Sequence, residues 1–202
     1  MKMIFKLPKE DEKFHEELIH SNWTPLKEPK GISTASLLSI PLMFINFFIC
    51  LGVLIVFSNI SFEEFGISSG SITIIISGSW ILWLVGLVII HELIHLVFVP
   101  NFLKSKRTYL GINWMGGFVL TEDEISKSRY ILVSLAPFVL ISIILPIVLS
   151  WFGLLTTPIK AIVLINALAS SVDLLNLLLI MTQVPKRGRL VNNGFRTYWK
   201  AV

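Results

Sequence analysis

Thirteen acidic and four histidine side chains are available for acid–base or metal chemistry in this chain of 202 residues. Most lie in polar stretches, where a solvated surface accounts for them. Six acids precede residue 35, Glu63 and Glu64 share a short polar stretch, and Glu122, Asp123 and Glu124 share another. Glu92 and Asp173 alone sit inside long apolar runs, and His91 and His95 flank Glu92. An acid at the centre of an apolar membrane helix costs about 2.5–3.5 kcal/mol on insertion scales, so such groups are functional candidates.

The segment His91-Glu92-Leu93-Ile94-His95 has the pattern H-E-x-x-H. On a helix, residues four apart lie one turn apart and roughly 40° from each other, so both imidazoles can reach one ion. Glu92 lies about 100° round, placed to hold a water that the ion activates. A catalytic zinc takes three protein ligands and keeps one open position. Asp173 is the remaining carboxylate at membrane depth and is the expected third ligand. The bland readings are histidines bonded to neighbouring helices and a carboxylate satisfied by nearby Asn or Ser. Asn166 lies seven residues before Asp173 on one helix face, with Ser170 and Asn176 three residues from it. These groups can orient the Asp ligand, hold a substrate carbonyl, or simply bond between helices. Cys50, the single cysteine, is a soft ligand at compatible depth or a packing residue.

Such residues need elements to carry them. The chain is 54% hydrophobic and 15% charged, where soluble domains average about 25% charged. Four apolar segments, near 35–60, 72–100, 130–152 and 159–184, are each long enough to span the hydrocarbon core as a helix. The expected fold is an all-α integral membrane protein, one polytopic domain over 1–202 with four transmembrane helices. A polar N-terminal segment (1–34) precedes the spans, without the early apolar region of a signal peptide, and a basic tail (185–202) follows them. Six lysines precede the first span, five basic residues lie between the second and third, and five follow the fourth, so 16 of 17 fall on one side. The positive-inside rule then places both termini and the middle loop in the cytoplasm.

The net charge of +4 is thus a topology signal, and no nucleic-acid partner is expected. Tyr198 and Trp199 in the tail read as interfacial aromatics. In the middle loop, 108–120 surrounds Gly116 and Gly117 and reads as a cytoplasmic or interfacial hairpin. Thr121 followed by three acids reads as the cap of a short helix. Pro137 and Pro146 should kink the third span.

An H-E-x-x-H on a span near the cytoplasmic face, then a hairpin, then an Asp on a later span, resembles site-2 protease-type intramembrane metalloproteases. The chain is also similar to the putative zincin peptidase family of small bacterial integral membrane proteins, in HELIHLVFVP, SRYILVSLAPF and NALASSVDLL before a basic tail. That resemblance implies zinc on His91, His95 and Asp173, one ion per chain, with Glu92 as general base and acid. It implies a multi-pass protein of a bacterial plasma membrane. It also implies a Gly116-Gly117 hairpin that offers an edge strand to an unwound substrate. The site-2 class carries Leu-Asp-Gly around its Asp ligand, whereas this chain has Ser-Val-Asp-Leu-Leu.

The expected function is zinc-dependent hydrolysis of peptide bonds in or near transmembrane segments, with the bilayer and a membrane-protein or peptide substrate as partners. Two alternatives stay open: a non-catalytic metal-binding membrane protein, and a small ion or metal transporter using the same His/Glu/Asp cluster. A pure binding site has no need of Glu92, and a transporter would show ion flux without stoichiometric metal.

Overall fold

A computed structural model describes residues 1–4, 8–68, 70–73, 78–113 and 116–201. The start of the expected second span, at 74–77, and Trp114 and Met115 in the hairpin lie outside the described residues. Among the described residues, four helical stretches are long and apolar enough to cross a membrane: Ile40–Phe57, Ser79–Phe98, Lys127–Trp151 and Thr157–Gln183. The contacts divide the chain into two compact units.

The first unit comprises Met1–Ser39, Glu92–Ala136 and Val172–Val202. It corrects the all-α expectation, because its polar segments form sheets. Strands β1 (Lys2–Ile4), β5 (Thr108–Asn113) and β6 (Gly116–Thr121) make a three-stranded sheet in the order β1-β5-β6. Strands β2 (Thr24–Pro25), β7 (Ile125–Ser126), β8 (Arg189–Asn193) and β9 (Arg196–Lys200) make a second, in the order β2-β9-β8-β7. Outside a membrane the backbone is free to pair between strands, and Arg189–Asn193 and Arg196–Lys200 do so. Helix α1 (Glu12–His20) starts at Asp11, whose carboxylate accepts from Lys13 N at 2.9 Å and Phe14 N at 3.3 Å.

Two further expectations are corrected in this unit. The tail is not an interfacial strip: Tyr198 is fully buried against Leu18 and Val191, and Trp199 packs on Leu26, Ile125 and Leu190. Position-2 alternation in β9 sends these rings into two packing clusters. Thr121 caps no helix. It ends β6, and the acids after it lead into β7 before helix α5 (Lys127–Pro137) begins. Buried Lys127 bonds from α5 to the carbonyls of Met181, at 3.2 Å, and Val184. It thereby caps the end of helix α8 (Ser171–Gln183).

The second unit comprises Ile40–His91 and Pro137–Ser171. Helix α3 (Ile40–Phe57), which follows the short α2 (Ile32–Leu38), packs with α6 (Leu145–Trp151) and α7 (Thr157–Ala169). A short ribbon of β3 (Ile67–Ser68) and β4 (Ser71–Ile72) lies in the loop before α4 (Ser79–Phe98). Polar groups are few here and bonded inward: Asn46 Nδ2 donates to Ala167 O at 3.1 Å, and Lys160 Nζ bonds Asn59 O at 2.7 Å and Glu64 Oε2 at 2.8 Å. The Lys160 ammonium holds the Glu64 carboxyl below the usual glutamate range.

Two of the helical stretches are irregular in ways that matter for the site. The third stretch changes to π-helical pitch at Phe138–Ile144, directly after Pro137, and returns to α pitch at Leu145 with Pro146 in its first turn. Proline has no N–H to donate to the carbonyl four residues back, so each proline interrupts the helical ladder. The fourth stretch is interrupted at Ser170, between α7 and α8, where the Ser170 hydroxyl bonds back to Asn166 O at 2.9 Å.

Candidate metal centre

Helix α4 is unbroken through His91, Glu92 and His95, so the two imidazoles project one turn apart from a single rigid backbone. Both are buried, and Glu92 is partly exposed. Asp173 stands in the first turn of α8, where the helix N-terminus favours a carboxylate. His95 Nε2 lies 3.5 Å from Asp173 Oδ2. Ligand atoms of His91, His95 and Asp173 all fall within 4.8 Å of one another. Zinc bonds of about 2.0–2.2 Å at tetrahedral angles separate neighbouring ligand atoms by roughly 3.3 Å. The His95–Asp173 pair is near that spacing already. The described cluster does not include Cys50, which is fully buried in α3 with its thiol 3.7 Å from Val163 O.

The hydrogen bonds fix which nitrogen each histidine offers. Val163 O can only accept, so the Ser142 hydroxyl donates to it at 3.1 Å. The Ser142 oxygen is then free to accept from Asn166 Nδ2 at 2.9 Å, and Asn166 Nδ2 also donates to Pro137 O at 3.2 Å. With its amide nitrogen so committed, Asn166 turns Oδ1 to His91 Nδ1 at 2.8 Å. Oδ1 is an acceptor, so His91 carries its proton on Nδ1. His95 Nδ1 lies 2.7 Å from Val133 O, also an acceptor, and carries its proton there too. Each ring therefore leaves Nε2 as the nitrogen that a metal would take in place of a proton. Two imidazole nitrogens and one carboxylate oxygen, with each Nδ1 already bonded, fit zinc.

Asn166, for which the sequence left open a role on Asp173, on a substrate carbonyl or between helices, bonds His91, Pro137 and Ser142. The two glycines of the hairpin serve different needs. Gly116 has φ +138°, a dihedral that side-chain-bearing residues rarely adopt. Gly117 is needed for space: a Cβ there would strike Glu92 Cγ and lie 2.9 Å from its Cδ and Oε1. Strand β6 thus passes with its backbone against Glu92. Among the described residues β5 is its one strand partner in that sheet. Val133 and Ser142 were not anticipated. The mid-helix proline at 137 was the signal for Val133, since it leaves that carbonyl without its helical donor.

Four membrane-length apolar helices among the described residues, with a His–His–Asp cluster whose histidines are buried and which could hold an ion, define the class to which this chain belongs. The family model described as Putative zincin peptidase (DUF3267) matches residues 84–188. The match covers just over half of the chain and takes in His91, Glu92, His95, Asn166 and Asp173. The chain belongs to that family. No curated protein and no solved structure matches it.

Proposed function

We propose that the protein is a zinc-dependent intramembrane endopeptidase of the site-2 protease type, with His91, His95 and Asp173 as ligands of one zinc ion. The observation that carries this reading is the convergence of three ligand atoms, two of them on imidazoles whose Nδ1 protons are already bonded away. Glu92, beside them on the same helix and in contact with β6, is the general base and then the general acid. When bound, zinc acidifies a water toward a pKa of about 7 and polarises the scissile carbonyl. Glu92 takes the proton of the attacking water and delivers it to the departing amine. Asn166 and the Val133 carbonyl keep the two rings oriented through both transfers. An unwound substrate strand paired along β6, past Gly116 and Gly117, would bring its carbonyl to Glu92.

The charge distribution supports a cytoplasmic location for both termini and for the β5–β6 hairpin in a bacterial plasma membrane. It follows that the substrates are membrane-spanning segments or their remnants.

The test is zinc content and cleavage of a transmembrane peptide by detergent-purified protein, wild type against Glu92→Gln. Expected are about one zinc per chain in both, and cleavage lowered by about 10²–10⁴-fold in the variant. A zinc-free wild type, after metal is supplied without chelators, would overturn the proposal.

A further inference from the structure

We infer that Pro137 is a positioning residue for the metal centre, acting through the hydrogen-bond donor it lacks. The inference rests on the proposed zinc site. In a regular helix the N–H of residue 137 would donate to the carbonyl of residue 133. Proline has none, and its ring disfavours close approach to that carbonyl. Val133 O is therefore left without its helical donor, deep in a segment where an unmet carbonyl is costly. His95 Nδ1 meets it at 2.7 Å. That bond sets the tautomer and the orientation of the ring, and leaves Nε2 toward Asp173.

The other side of the same residue supports the other histidine. The helix leaves α pitch immediately after Pro137. The Pro137 carbonyl accepts from Asn166 Nδ2 at 3.2 Å, the group whose Oδ1 holds His91. Pro137 is fully buried. One proline in the third helical stretch thus supplies a carbonyl to each arm of the ligand set, one by an absent donor and one by a displaced ladder. A kink alone would not require either bond. Pro146, in the same stretch and equally buried, provides the control: among the described hydrogen bonds, none joins it or the backbone carbonyl four residues before it, that of Ser142, to a histidine or to Asn166.

The experiment is zinc affinity of the full-length chain in detergent, by competition with a chromophoric chelator, together with the thermal midpoint of the metal-free protein. Alanine at 137 restores the N–H, which competes with His95 for Val133 O. Pro137→Ala is expected to weaken zinc binding by about 10–100-fold, with the metal-free thermal midpoint unchanged or raised because a helical bond is gained. Pro137→Gly, which restores the N–H but favours helix less, should repeat the loss of affinity whatever it does to stability. Pro146→Ala should bind zinc as the wild type does. Wild-type affinity in Pro137→Ala and Pro137→Gly overturns the inference while leaving the zinc site standing. An equal loss in Pro146→Ala overturns it too, since any proline would then serve. Absence of zinc from the wild type overturns both readings at once.

Discussion

The two units solve the same problem, fixing a polar group in an apolar setting, by different means. In the helical unit, orientation comes from side chains. His91 is held by Asn166, Asn166 by Ser142, and Ser142 by a carbonyl, in one directional chain. In the sheet-bearing unit, orientation comes from backbone. His95 is held by the Val133 carbonyl, and Glu92 is bounded by the main chain of Gly117. A side-chain support can be deleted by one substitution. A backbone support can only be disturbed by adding something to it, a donor at 137 or a Cβ at 117.

The largest expected effect breaks the backbone side of this comparison. Gly117→Ala forces Glu92 or strand β6 to move, and a misplacement of about 1 Å can cost about 10²-fold in rate. Peptide hydrolysis should fall on that scale while bound zinc stays stoichiometric, because the atoms that a Cβ at Gly117 meets first belong to Glu92. Loss of zinc from this variant would show that β6 supports the ligand set instead.

Next comes the side-chain arm. Asn166→Ala removes the acceptor for His91 Nδ1 and both donors to Ser142 and Pro137, so zinc affinity should fall by about 10–100-fold in chelator competition. Asn166→Asp keeps the acceptor and should retain more affinity than alanine. Equal affinities would mean that Asn166 packs the helices and does not orient the ring.

The smallest effect separates orientation from plain architecture within the helical unit. Lys160 and Glu64 form its other polar cluster, remote in sequence from the ligands. Glu64→Gln should lower the thermal midpoint by at most about 2–4 °C at neutral pH and leave zinc affinity alone. Because Lys160 depresses the Glu64 pKa in the folded state, this stability is present above the ordinary glutamate value. It is lost as pH falls through the lower folded value, so the gap between variant and wild type should close in acid. A gap that widens in acid would contradict the sign of that shift.

The grouping of His91, His95 and Asp173 was legible because an apolar helix tolerates few ionisable groups. His91, Glu92, His95 and Asp173 stand out against their surroundings, and i, i+4 spacing brings the histidines to one side. The sheets were harder to read. Charge dominates the tail 185–202, yet Gly194 as the first of two residues between Arg189–Asn193 and Arg196–Lys200 suits a tight hairpin turn. Gly194, at φ +58°, opens the turn between β8 and β9. Charge identified the side of the membrane to expect but said nothing about pairing, and pairing buried Tyr198.

By itself, the sequence determined four membrane-length helices and the grouping of ligand types, since both follow from local periodicity and from the cost of burying charge. Tertiary structure alone decided which support each histidine receives. A hydrogen bond from His91 to residue 166, or from His95 to residue 133, joins distant parts of the chain, and no local pattern specifies its partner. Proline 137 stands between the two cases. Its missing donor is written in the sequence, but only the fold shows that a histidine takes the vacated carbonyl.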